Sequence, residues 1–313
     1  MRARKLARVQ VWPATRIRLH LAVALALAGV GTLGAVLAAW SWVGAAIGLG
    51  LGGLWYLGMA GRFHRRRALV AQPFPAEWKA ILERRVDFYR ELEDDEQARR
   101  RFEDDVRIFL AEQRIYGAGA GEQQLEIGDE TRLLIAASAA ILSHGMPNFE
   151  WPRLRDIVVH PRAFNEEYGS EDPSIAGMVH LQGPILYSER DLRMGFRRHD
   201  GHNVGLHELA HTLDLADGHA DGVPIGAGWA SSAPWVAIIG DRLAKLRAHR
   251  YPNVLRDYAA TNEAELFAVA VEAFFERPHA LREKDPELYG MLRDYFGQDP
   301  AAKPRRRGDR KFR

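Results

Sequence analysis

Apolar positions follow three rhythms along this chain. Residues 19–60 contain no Asp, Glu, Lys or Arg, an uncharged run of 42 residues. Beyond residue 75 the rhythm turns helical. Trp78, Ile81, Leu82 and Val86, then Phe102, Val106, Phe109 and Leu110, return at helical spacing and predict helices over 75–115. Gly117-Ala118-Gly119-Ala120-Gly121 predicts a loop, and Glu130 to Leu142 a further helix. Short apolar runs at 157–160 and 184–188 predict strands. Leu206, Leu209 and Leu213 then mark one face of a helix, and 232–249, 262–277 and 285–296 read as three more. No internal repeat is visible. The pattern is α+β, mostly helical with a small β-sheet.

The uncharged run adds a different expectation. One membrane-crossing helix needs about 20 apolar residues, so this run is too long for one span and suits two. Trp40-Ser41-Trp42 interrupts it in the middle, with tryptophans of the kind that settle at membrane interfaces. Gly44, Gly48 and Gly52 recur every four residues, which allows close helix approach. Arg2, Arg4, Lys5, Arg8, Arg16 and Arg18 precede the run, and Arg62, Arg65, Arg66 and Arg67 follow it. The positive-inside rule then puts both ends in the cytoplasm. A cleaved signal peptide fits the run less well, because its apolar region spans only about 7–15 residues. The expected organisation is a basic cytoplasmic arm (1–18), a two-helix transmembrane hairpin in the lipid bilayer (19–60), a basic juxtamembrane linker (61–73), one domain over 74–298 and a basic disordered tail (299–313).

Charge follows the same division. The chain carries 43 Lys and Arg against 41 Asp and Glu. Without the seventeen basic residues and one Asp of 1–18, 62–67 and 303–313, 26 basic residues face 40 acidic ones, a net charge of −14. The basic flanks suit anionic lipid headgroups, and no nucleic-acid site is read from them. The absence of cysteine excludes disulfides and thiolate metal ligands.

Candidate chemistry sits on the helix marked by the three leucines. His207-Glu208-Leu209-Ala210-His211 puts two imidazoles four residues apart, hence on one helix face with Cβ atoms about 5–6 Å from each other. At about 100° per residue, His207, His211 and Asp214 share one sector and the leucines lie opposite. Two imidazole nitrogens can then meet one zinc ion at about 2.0–2.1 Å, while Glu208 is close enough to take a proton from water. Asp200 or Asn203 can cap this helix and Gly218 can end it. A hydrolytic zinc site usually takes a third protein ligand. Glu265 and Glu272, on the helix capped by Thr261 or Asn262, are both candidates, and Glu263 is a third. Asp214 is a candidate to accept the second ring N–H of a ligating histidine. Tyr258, a few residues before the third-ligand helix, is a candidate donor to the oxyanion of a peptide under attack. Gly183-Pro184-Ile185-Leu186-Tyr187-Ser188 reads as a strand whose exposed edge can pair with an extended peptide.

Leu206-His207-Glu208-Leu209-Ala210-His211-Thr212-Leu213-Asp214 resembles the zinc-dependent peptidases of the Mlc titration factor A type. So do Tyr258-Ala259-Ala260-Thr261, Ala264-Glu265-Leu266-Phe267-Ala268-Val269 and Gln182-Gly183-Pro184-Ile185-Leu186-Tyr187-Ser188, and together the likeness covers roughly residues 74–298. The resemblance implies a mostly helical zincin-like metallopeptidase domain. It implies Zn2+ on His207, His211 and Glu265, Glu208 as general base, and a peptide or protein substrate. Some members of that family carry a further histidine upstream near the metal. This sequence has no clean counterpart: His160 and His180 are the upstream candidates, and His160, ending a short strand before Pro161, reads as structural. The family is named for capturing a transcriptional repressor, which implies an alternative role as a module sequestering a regulator. The expectation is therefore a membrane-anchored zinc metallopeptidase on the inner membrane, its catalytic domain in the cytoplasm.

Overall fold

The computed structural model describes residues 14–37, 41–119, 124–146, 149–151, 154, 156–163, 177–179, 184–198, 200–215, 220–224 and 229–302. The expectations for the basic arm before residue 14, Trp40, His180, Gly218 and the tail from 303 lie outside them. The chain divides into two units, one of residues 1–74 and 147–150, the other of 75–146 and 151–313.

The first unit is a pair of helices, α1 (Ala14–Leu37) and α2 (Ser41–Val70). They approach closely where glycine removes the side chain. A Cβ on Gly48 would lie 2.5 Å from the carbonyl oxygen of Ala28, and one on Gly52 the same distance from that of Ala24. Ala24, Ala28, Ala60 and Phe63 are buried, while Leu25, Val30, Leu33, Leu49, Leu54 and Leu57 are exposed.

The transmembrane expectation is corrected here. Among the described residues, no helix is long and apolar enough to cross a membrane. A run without charge is not thereby strongly apolar. Seven glycines stand between Gly44 and Gly61, each adding helix length and no apolar side chain. The second helix also continues without a break through Arg62, Arg65, Arg66 and Arg67 to Val70. The two-helix transmembrane hairpin therefore falls out of the fold class. Contact with a lipid bilayer through 19–60 and the inner-membrane location rested on those spans and fall with it.

The second unit is assembled around a helix with no polar face. α6 (Asp129–Ser143) is buried at every position from Leu133 to Ser143, as a helix enclosed on all sides must be. α3 (Ala76–Arg85) and α5 (Glu96–Glu112) pack against it, joined by the single turn α4 (Asp87–Arg90). α5 starts at Asp95, whose carboxylate accepts the Ala98 N–H at 2.9 Å.

Four strands form one sheet in the order β1-β2-β4-β3: β1 (Ile115–Gly117), β2 (Ile157–His160), β3 (Gly177–Val179) and β4 (Ile185–Ser188). The first three in that order run parallel, and β3 is antiparallel to β4 with Gly177 opposite Tyr187 and Val179 opposite Ile185. The strand read at 184–188 is therefore interior and not an edge. It is buried along its whole length and paired on both sides, and the edges belong to β1 and β3.

After β4 come α7 (Glu189–Gly195) and α8 (Val204–Asp214). α8 lies against α6 at Gly205, where a Cβ would sit 3.0 Å from Leu192 Cδ1 and closer still to Ser138 Oγ. α9 (Trp229–Arg247), α10 (Glu263–Glu276), α11 (Pro278–Lys284) and α12 (Pro286–Phe296) complete the unit. Phe274 of α10 packs on Tyr289 and Phe296 of α12, and Phe275 on Phe296, at centroid distances of 5.1–5.8 Å, which fixes α10 from behind. Its front meets α8.

Candidate metal centre

α8 is set in place by its cap. Asn203 Oδ1 accepts the Leu206 N–H at 3.3 Å, leaving the role to Asn203, while Asp200 turns back to accept from the His202 N–H. The leucine face enters the core, with Leu206, Leu209 and Leu213 at most 1 % exposed. Register then carries His207 and His211 round to α10.

There the donors converge. His207 Nε2 lies 3.2 Å from His211 Nε2 and 3.1 Å from Glu265 Oε2, and His211 Nε2 lies 3.4 Å from the same oxygen. Donors about 2.0–2.1 Å from a tetrahedral zinc stand about 3.3–3.4 Å from one another. The three donors thus have the separation that one small tetrahedral cation requires, and two imidazoles with a carboxylate suit zinc. Glu263 is exposed in the first turn of α10, away from this group.

Glu272, the other candidate ligand, has a different place. Its Oε1 is 2.7 Å from His207 Nδ1, so it meets the ring nitrogen that faces away from the metal position. The same oxygen accepts from Arg256 Nη2, and Oε2 accepts the Asn203 N–H at 2.5 Å. A fully buried carboxylate is thereby satisfied by an imidazole, a guanidinium and a helix-cap amide. It fixes the orientation of the His207 ring. Asp214 does not share this work. It is buried, and the backbone amides it faces are those of Gly222 and Val223.

Electrostatics tell the same story. Burial opposes a charge on His207, yet Glu272 and Glu265 outweigh it and push the imidazole up to about 10. Burial also opposes ionisation of Glu265, but hydrogen bonds from His207 and His211 hold it well below the usual carboxylate range. Glu208 is 3 % exposed, and burial, reinforced by Glu265 and Glu272, pushes it up to about 8. With both imidazoles neutral, as binding a metal requires, the carboxylates of Glu265 and Glu272 face the single guanidinium of Arg256, and a divalent cation offsets the remaining negative charge.

Tyr258 stands at the rim. It belongs to a 3-10 turn, Asp257–Ala260, with its ring centroid 6.1 Å from that of His207. Arg247 of α9 donates to the carbonyls of Ala260 and Thr261 at 3.0 and 2.8 Å and holds the turn. The phenol is pushed up to about 12, by partial burial first and then by Glu265, so it keeps its proton as a donor. His160 ends β2 opposite Ser188 and is not among the converging donors.

Sequence reading missed Arg256 altogether, because it lies in a loop with no motif around it. It saw Glu272 without its role. The signal for that role is the spacing Glu265 to Glu272, seven residues or two helical turns, which puts one carboxylate behind the other on a single face.

Two converging histidines, a carboxylate beside them and an adjacent buried glutamate are a donor set of the metallopeptidase type. The chain belongs to the glucose-regulated metallo-peptidase M90 family, whose profile matches residues 61–297. Among similar proteins, an uncharacterized protein of Synechocystis sp. is 32% identical over 250 residues, covering 75% of this chain and 89% of that protein. Mlc titration factor A of Cronobacter sakazakii is 29% identical over 184 residues, 50% of this chain and 65% of that protein. The protein of the same name from Pectobacterium atrosepticum is 28% identical over 200 residues, covering 58% and 73% respectively.

Proposed function

We propose that this chain is a zinc-dependent peptidase that hydrolyses peptide bonds, with His207, His211 and Glu265 as metal ligands and Glu208 as general base. The observation that carries the reading is the convergence of three donors at tetrahedral spacing, with a buried carboxylate one residue from the first ligand. A zinc ion bound there supplies a Lewis acid and lowers the pKa of a coordinated water toward about 7. Glu208 takes the proton from the attacking water and gives it to the leaving amine. A neighbouring dication favours its ionised form, which offsets the burial that raises its pKa. Tyr258, protonated and close to the histidines, donates a hydrogen bond to the carbonyl oxygen as it becomes tetrahedral. β3, an edge strand among the described residues, offers backbone groups to an extended peptide chain.

The test separates ligand from base. Glu208→Gln retains zinc by elemental analysis and loses hydrolysis by about 10²–10⁴-fold; comparable turnover in the zinc-loaded variant removes Glu208 from the role. Glu265→Ala lowers bound zinc, and an unchanged metal content moves the third ligand elsewhere.

A second reading comes from the name Mlc titration factor A carried by several relatives. On it, this chain works by binding a regulatory protein. A phenotype that survives Glu208→Gln, together with capture of the regulator by that variant, favours binding over catalysis.

A further inference from the structure

β3 begins with a glycine whose backbone does not explain it. Among the described residues, the glycines with positive φ are Gly119, Gly201, Gly222 and Gly297, and Gly177 is not one of them. Any residue can adopt its backbone, so space is the remaining reason. A Cβ built on Gly177 would lie 2.6 Å from Glu208 Cδ, 2.7 Å from Cγ, and closer still to Oε1. The Glu208 side chain rests in the volume that a methyl group at 177 would fill.

It has little room to move aside. Gly177 is the register partner of Tyr187 on β4, and directly opposed residues on neighbouring strands point to the same face of a sheet. Tyr187 is fully buried, so its ring closes the same face beside the glycine. The charge of Glu208 helps to push the buried phenol well above its ordinary range, second to burial itself, which agrees with that proximity. From the other direction, Glu208 is held by the backbone of α8, where Thr212 Oγ1 donates to its carbonyl at 3.1 Å.

We propose that Gly177 is a positioning residue for Glu208: its missing side chain is the seat in which the carboxylate is held at the working angle. The inference rests on the reading of Glu208 as general base. It makes the edge strand a part of the catalytic geometry as well as a place for substrate. It also accounts for a glycine at the first position of a three-residue strand, where glycine otherwise weakens pairing.

The experiment uses the full chain loaded with zinc. Gly177→Ala is made alone and together with Glu208→Ala, and metal content, Tm and hydrolysis of a quenched peptide are measured. The seat predicts unchanged zinc, an unchanged KM and a kcat lowered about 10²-fold, the scale of a displacement near 1 Å in a catalytic group. It also predicts that the fall in Tm caused by Gly177→Ala disappears once Glu208 is alanine. If Gly177→Ala fails to fold while the double variant folds, the same coupling is shown. A Tm loss of equal size in both backgrounds, or a wild-type kcat in Gly177→Ala, overturns the proposal. Wild-type turnover in Glu208→Gln would defeat the base assignment alone, because the melting comparison reads the seat without reference to catalysis.

Discussion

Two glutamates on α10 differ by seven residues in sequence and by one layer in depth. Glu265 presents an oxygen to Nε2 of both His207 and His211, and Glu272 meets Nδ1 of His207. Periodicity put both on the facing stripe but could not tell depth, because depth depends on where α8 crosses α10. The crossing is a long-range fact, carried in part by the Asn203 amide that also binds Glu272. Glu272→Gln keeps an acceptor for His207 but loses the charge that pairs with Arg256. Metal affinity is expected to fall about 10–100-fold in a competitive chelator titration. Asp214 gives a pH-dependent expectation. Burial, with Asp221 adding to it, raises its carboxyl from 3.8 to about 6. A raised acid favours the neutral form in the fold, so its contribution to stability is complete below the unfolded pKa and is lost as pH rises through the folded one. Asp214→Asn removes that dependence. Its Tm relative to wild type should rise between about pH 4 and 7, by an amount corresponding to about 1–3 kcal/mol; a constant difference would show that Asp214 does not titrate in this window.

Elements with a strong rhythm were legible and those without were not. The helices at Asp129–Ser143, Val204–Asp214 and Glu263–Glu276 follow from their apolar spacing. β1 and β3 are three residues each, too short to show alternation, and α7 is a seven-residue helix starting directly at the end of β4. Missing β3 turned the interior strand Ile185–Ser188 into an apparent edge. Among caps, Asn203 does most, since it closes α8, donates its side-chain amide to Glu276 at 3.2 Å and gives its backbone N–H to Glu272. Asn203→Ala removes the first two and leaves the third. A loss of about 1–2 kcal/mol is expected from the denaturant midpoint at constant slope, and a negligible shift would mean that the cap is carried by tertiary packing.

At the scale of the molecule, the two-histidine motif was readable because its spacing is local, whereas the first unit was misread because charge was taken as a proxy for apolarity. Glycine is uncharged and contributes little apolar surface, and the arginines at the end of the run belong to the same helix as the glycines. The paired ligands on α8 and the single one on α10 have one more consequence. A cation held by all three is a cross-link between positions 211 and 265, closing a segment that contains α9 and the turn bearing Tyr258. Like any such tie it restricts the opened states of the enclosed chain. Amides of α9 and α10 should therefore exchange with deuterium faster once a chelator has taken the metal, while those of α6, buried at a distance in sequence from the tie, keep their protection.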